Sequence, residues 1–338
     1  MSHEQDTPAQ ASDHPPAPKE VRSEIRTSMW IILLNFLFLI AVVAVAFQWA
    51  DWSSFLYAVI HIDLLWIAVV VVLQAGTYVC VAYAWHSVLR RFKTPIPIRS
   101  LLSLSLIKLF LDQAFPVFGL GGTAVAMRGF LRRGSAANVA VAAAAVYVLV
   151  ESALNILFLF LALFILGANH DINPFFSVTN VLLICIAGVA VLFVLLYAIR
   201  DTRLLRAFKN LQPIAWLIKT ARDIPRHTLA DFGLWASVSI ALAAIWIFDA
   251  LTLWALLMAL GVHAPLSTAF ACSIISSVVA NIVIVPGGLG IFEGSSIAIM
   301  SLFGIPLEQA IAAALLMRGF TYWLPMVPGF LITRGEFI

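Results

Sequence analysis

The chain has 338 residues, 62% of them hydrophobic and 11% charged, with a net charge of +3 and a mean hydropathy of +1.02. A soluble domain of this size cannot cover so much apolar surface with so few charges. That excludes a soluble enzyme or binding module and predicts an all-α polytopic membrane protein.

Residues 1–28 open MSHEQDTPAQASDHPPAPKE, polar and rich in proline with no apolar start. They predict a disordered cytoplasmic tail rather than a cleavable signal. The membrane domain is then 29–338. Runs 30–50, 64–85 and 175–199 carry no formal charge, and each is at least as long as the roughly 20 residues that a helix needs to cross a bilayer core.

Lys and Arg concentrate in cytoplasmic loops. Lys19, Arg22 and Arg26 put the amino terminus inside, 51–63 lacks both residue types and goes outside, and Arg90, Arg91, Lys93 and Arg99 return inside. From 100 to 133, a short helix stops at Pro116, glycines follow, and a second short apolar piece ends at the basic MRGFLRR. Neither half spans, and both flanks are cytoplasmic by charge, which predicts a re-entrant hairpin. Residues 136–167 go out, 175–199 return to the basic loop 200–226, and 232–260 go out again. A second hairpin over about 266–303 has both flanks outside, and 309–333 end inside. The map has about six full spans plus two re-entrant hairpins, and none of the 20 Lys and Arg residues lies in an outer loop.

The hairpins read as one unit used twice. An offset of 170 residues puts Pro116 on Pro286, Gly134 on Gly304, and alanines 140 and 142–144 on 310 and 312–314. Three spans lie between the hairpins, so the repeats, around 100–167 and 266–333, point in opposite directions. Inverted repeats with interrupted helices are a transporter signature.

In NIVIVPGGLGIFEG, Pro286 ends one half-helix and Gly287, Gly288 and Gly290 let the backbone turn. The freed polar groups must be buried in protein or line a wet cavity. With Gly290 as cap, Glu293 takes the third helical position, where a carboxylate suits the positive helix end; a cap and a direct role with substrate or protons weigh equally.

At these residues the chain resembles the lysylphosphatidylglycerol synthase transmembrane region, or flippase-like, family. IVPGGLGIFEG and FGIPLEQAIAAALLMRGFTYWLPMVPG look like its carboxyl-terminal signature, and FPVFGLGGTAVAMRGFLRRGSAANVAVAAAAVYVLVESALN is similar to an earlier one. Relatives often carry an acid after the glycines and a Glu-Arg pair in the next helix; here Thr123 follows Gly122 and Ser152 follows Glu151. The resemblance covers about 28–335. It implies movement of polar-headed lipids between leaflets, and a bacterial plasma (inner) membrane is the expected location. In some relatives an aminoacyl-transfer domain follows this region, and the chain, ending at Ile338, is expected to resemble only the transport half.

Charges at membrane depth cost about 2.5–3.5 kcal/mol each on insertion scales. Lys108 and Asp112, four apart on one helix face, predict a pair. Lys108 and Arg128 flank the first glycine turn, Gly119, Gly121, Gly122 and Thr123, where no acid follows. That end is expected to be open to a lipid phosphate. Arg318 needs an acid, with Glu293 or Glu151 as the candidates. Asp249 stands alone in an apolar run, with no partner evident.

The substrate-binding set is therefore Lys108, Asp112, the glycine turns with Thr123 and Pro286, Arg128, Glu151, Glu293 and Arg318. No catalytic residue, metal site or cofactor is expected. GLGGTA follows a membrane half-helix rather than a strand, which excludes a dinucleotide site. Partners are a membrane phospholipid or lipid-linked substrate, and anionic headgroups under the 200–226 loop rather than nucleic acid; a second copy or a lipid-synthesis enzyme is left open. The rival classes are a membrane glycosyltransferase using Asp51 or Asp63 as base, and an accessory subunit of lipid biosynthesis.

Overall fold

The computed structural model describes residues 56, 60–94, 96–114, 120–169, 231–282 and 288–337. The expected tail, the spans at 30–50 and 175–199, the 200–226 loop, and Gly119, Pro286 and Gly287 lie outside them. The described residues form helices and contain no strand. In chain order they are α1 (Leu64–Arg91), α2 (Ile98–Ala114), α3 (Leu120–Arg132), α4 (Ala137–Asn169), α5 (Phe232–Ala259), α6 (Leu266–Ile282), α7 (Ile291–Leu302), α8 (Leu307–Arg318) and α9 (Leu324–Phe337). Three of them, α1, α4 and α5, are long and apolar enough to cross a membrane.

α1 and α5 share one design. Each has 28 residues and starts behind an aspartate, whose carboxylate accepts from the backbone N–H two residues on: Asp63 from Leu65 at 2.9 Å, Asp231 from Gly233 at 2.8 Å. Such caps satisfy amides that a helix start leaves orphaned. Each ends on a left-handed residue, Lys93 (φ 55°) and Gly261 (φ 75°), whose successor donates back to the carbonyl five residues earlier.

The two helices lie antiparallel and pack more extensively on each other than any other pair. The Asp63 N–H at the start of α1 donates to the Ala259 carbonyl at the end of α5, 3.1 Å away, while Arg91 at the other end pairs with Asp231. At mid-length Gly76 sits under Phe248, where a Cβ would come within 2.8 Å of the ring. Small residues at such crossings let membrane helices approach closely enough to gain packing.

Each end of this pair carries its own core. Around Val81–Leu89 of α1 and Leu234–Leu242 of α5 pack Leu101, Leu104 and Ile107 of α2, Phe130 of α3 and the first half of α4. Around Val70 of α1 and Leu253–Leu260 of α5 pack α6, α7, α8 and Ala162 near the far end of α4. The hairpin α2–α3 therefore sits at one end of the pair and the hairpin α6–α7 at the other.

The last apolar segment is not one regular helix. Between α8 and α9, Gly319–Trp323 form a π turn, closed by the Leu324 N–H on the Gly319 carbonyl. Pro325 follows directly. It has no N–H to offer the carbonyl four residues back, and its ring crowds that carbonyl, so the chain widens there by one residue.

Gly76→Leu is expected to lower the thermal midpoint of the purified protein in detergent by the equivalent of about 1–3 kcal/mol, the usual cost of overpacking. Gly167→Ala, with nothing within 4 Å of its added Cβ, should leave the midpoint unchanged or raise it.

Candidate functional site at the hairpin tips

On the first hairpin, Lys108 Nζ lies 2.7 Å from Asp112 Oδ2, one helical turn along α2. Lys108 is 3% exposed and lies 4.7 Å above the ring of Tyr147 on α4, which stacks in turn on Trp85 of α1. Glu151, one turn beyond Tyr147, is within electrostatic range of both Lys108 and Asp112. Asp112 also uses its other oxygen: Oδ1 accepts from the Gly122 N–H at 2.8 Å, in the first turn of α3. Glycine is required there, because a Cβ on residue 122 would come within 2.3 Å of the Lys108 carbonyl oxygen and 2.5 Å of Asp112 Oδ1.

That geometry corrects the expectation of an open anion site at the glycine turn. The acid missing after the glycines comes from the preceding half-helix, and the Gly122 amide is already bonded. Arg128 does not complete the site either: it is exposed on α3, between one and two turns past Gly122. Thr123 is buried and Gly121 half-buried beside this turn.

On the second hairpin, Gly290 caps α7 and Glu293 stands at the third position. Glu293 Oε2 accepts from the Gly290 N–H at 2.7 Å, and Oε1 accepts from Arg318 Nε at 3.1 Å. Arg318 Nη2 also donates to the Gly288 carbonyl at 3.1 Å, and the guanidinium lies over the rings of Phe292 and Tyr322. Gly288 needs its left-handed φ of 59°, and a Cβ there would meet that of Ala280 at 2.7 Å. Glu293 is 1% exposed. Of the two candidate acids, Arg318 thus pairs with Glu293, while Glu151 belongs with the first hairpin.

The two polar clusters abut one small apolar cluster made of Phe110, Leu289, Tyr322 and Met326. Phe110 lies between Lys108 and Asp112 in sequence, Leu289 between the two glycines that contact Arg318 and Glu293, and the Tyr322 ring is 5.4 Å from Arg318. Residues flanking the two helix breaks therefore share one apolar cluster, with an ion pair near each break. Sequence reading missed Tyr147, Phe292 and Tyr322 as cation partners. Tyr147 precedes Glu151 by four residues and Tyr322 follows Arg318 by four, so the helical spacing contained that signal.

Among the described residues no group of His, Cys, Asp and Glu could hold a metal ion. The tips offer pairs of opposite charge, backbone amides and aromatic faces, suited to recognising a charged polar group. A bundle of apolar helices, three of them long enough to cross a membrane, with ion pairs buried near its helix breaks is the architecture of a membrane protein. The family model for the lysylphosphatidylglycerol synthase TM region matches residues 32–329, and the chain belongs to that family. Membership places it among the membrane proteins of lipid metabolism or transport. No curated protein matches the chain.

Removing one partner of a buried pair strands the other, at about 3–5 kcal/mol. Arg318→Leu and Glu293→Leu should each destabilise the protein on that scale. The double variant should lose less than the sum, by about 0.5–3 kcal/mol, in unfolding titrations; strict additivity would refute the pairing.

Proposed function

We propose that the protein is a lipid flippase that moves polar-headed lipids, anionic or phosphate-linked, between leaflets by alternating access. The observation that carries the reading is one apolar cluster, Phe110, Leu289, Tyr322 and Met326, shared by two charged helix breaks whose hairpins sit at opposite ends of α1 and α5.

Several features support an inverted repeat. The offset of 170 residues relates the ends of α3 and α7: Gly134 and Gly304 have φ of 84° and 76°, and Ser135 and Ile305 donate to carbonyls five residues back. An offset of 168 relates the caps Asp63 and Asp231 and the turns at Lys93 and Gly261, which extends the repeat to one helix before each hairpin. Because α1 and α5 run antiparallel, halves that begin with them face opposite sides of the membrane. Interrupted helices meeting between such halves suit a carrier.

The headgroup exchanges with the protein's own carboxylates. A lipid phosphate entering at the first tip replaces Asp112 on Lys108 and on the Gly122 amide. At the second tip it meets Arg318 against its aromatic rings. The apolar cluster between the tips keeps the two clusters from opening to both sides at once.

Purified protein in vesicles with a fluorescent phosphatidylglycerol is expected to accelerate its movement to the opposite leaflet, without changing its mass. Lys108→Met should slow that movement on the order of ten-fold or more, the loss of one charge-assisted hydrogen bond. In a background without native cysteines, a reducible thiol-reactive crosslinker joining Phe110→Cys to Leu289→Cys should stop translocation, and reduction should restore it. Full activity in the crosslinked state would rule out movement of the tips against each other.

A further inference from the structure

Between the two cores of the α1–α5 contact lies a polar group that neither hairpin uses. The Gln74 side-chain amide of α1 donates to Asp249 Oδ1 at 3.1 Å and to Thr252 Oγ1 at 2.8 Å, both on α5. Gln74 and Thr252 are buried, Asp249 is half-buried, and the Gly76–Phe248 crossing is adjacent. Gln74 is ten residues from the start of α1 and Asp249 ten from the end of α5, or about 15 Å along each helix. Each helix has 28 residues, about 42 Å, so the group lies inside the stretch that a bilayer core of about 30 Å would cover.

The three acids at the tips have cations at hand: Asp112 and Glu151 have Lys108, and Glu293 has Arg318. Asp249 has none among the described residues. On α1 it faces the neutral groups Gln74 and Tyr78, and no described charged or titratable group of α4, α6 or α8 reaches it. A clamp between two helices does not need an ionisable residue, since asparagine would accept the same bond from Gln74. An ionisable residue within a membrane-spanning helix is by default a functional-site candidate, and such residues recur along ion and proton paths.

We propose that Asp249 is a proton-binding site that couples lipid movement to a proton gradient; the coupling rests on the carrier reading. The carboxylate takes a proton from one aqueous face, becoming a neutral carboxylic acid, and releases the same proton to the other face when the halves have changed sides. Gln74 and Thr252 hold the site in either state, because an amide and a hydroxyl can each donate or accept. Gain and loss of that one charge, at the contact holding the two halves together, biases which arrangement of the halves is favoured.

Two measurements on the full chain in phosphatidylethanolamine–phosphatidylglycerol bilayers test this. In pH-difference infrared spectra, a protonated-carboxyl band should titrate in the wild type, disappear in Asp249→Asn and persist, shifted, in Asp249→Glu; an unchanged band in Asp249→Asn would overturn the site. With fluorescent phosphatidylglycerol in vesicles, an imposed pH gradient should accelerate translocation by the wild type and by Asp249→Glu, and the acceleration should be lost in Asp249→Asn. Wild-type translocation at equal rates with and without the gradient, or a response to a sodium gradient alone, would overturn the coupling and leave the carrier standing. A wild type that moves no lipid would remove the carrier reading and the coupling with it, whatever the infrared band does.

Discussion

Helices in lipid gain nothing from hydrophobic association, because acyl chains are as apolar as leucine; close packing and a few polar bonds hold them together instead. The contact between α1 and α5 supplies both, with the Gly76–Phe248 crossing at its centre, the Gln74 amide beside it, and polar ties at each end. The placement of the remaining described helices follows from it. α4 runs along both cores, and each hairpin fills the space beside one end of the pair.

The hairpins solve one problem in two ways. A half-helix that starts inside the bundle exposes amide N–H groups, and a cation buried nearby needs a counter-charge. One carboxylate meets both demands at each tip, using one oxygen for the amide and the other for the cation. Glu293 does so from within its own helix, and Asp112 reaches across from the preceding one. The 170-residue offset puts Thr123 where the second half has Glu293, so the acid has changed helix while its two tasks remain together.

Much of this was legible in the residues, and the part that was not has a physical reason. Local chemistry could be read directly: Glu293 at the third position behind Gly290, and Lys108 paired with Asp112 one turn away. Contacts between distant segments could not. In a soluble helix an apolar stripe marks the buried face, whereas here residues facing lipid and residues facing another helix are equally apolar. Val72 is exposed and Val70 buried, two positions apart on α1. Hydropathy could not decide whether Arg318 met Glu293 or Glu151, that Asp249 met Gln74, or that Asp112 would close the turn expected to admit an anion.

The wide turn at Gly319–Trp323 carries one residue more than regular α-helix would hold in the same rise. Were that residue drawn out toward α9, the helix beyond would have to swivel by about 100°, the angle between neighbouring α-helical residues. Met326 would leave the cluster it shares with Phe110, and the face of α9 that packs Gly329 on α2 would turn away. The proline that forces the bulge thereby stores slack in the segment joining Arg318 to the other half, in the manner of a slipped stitch.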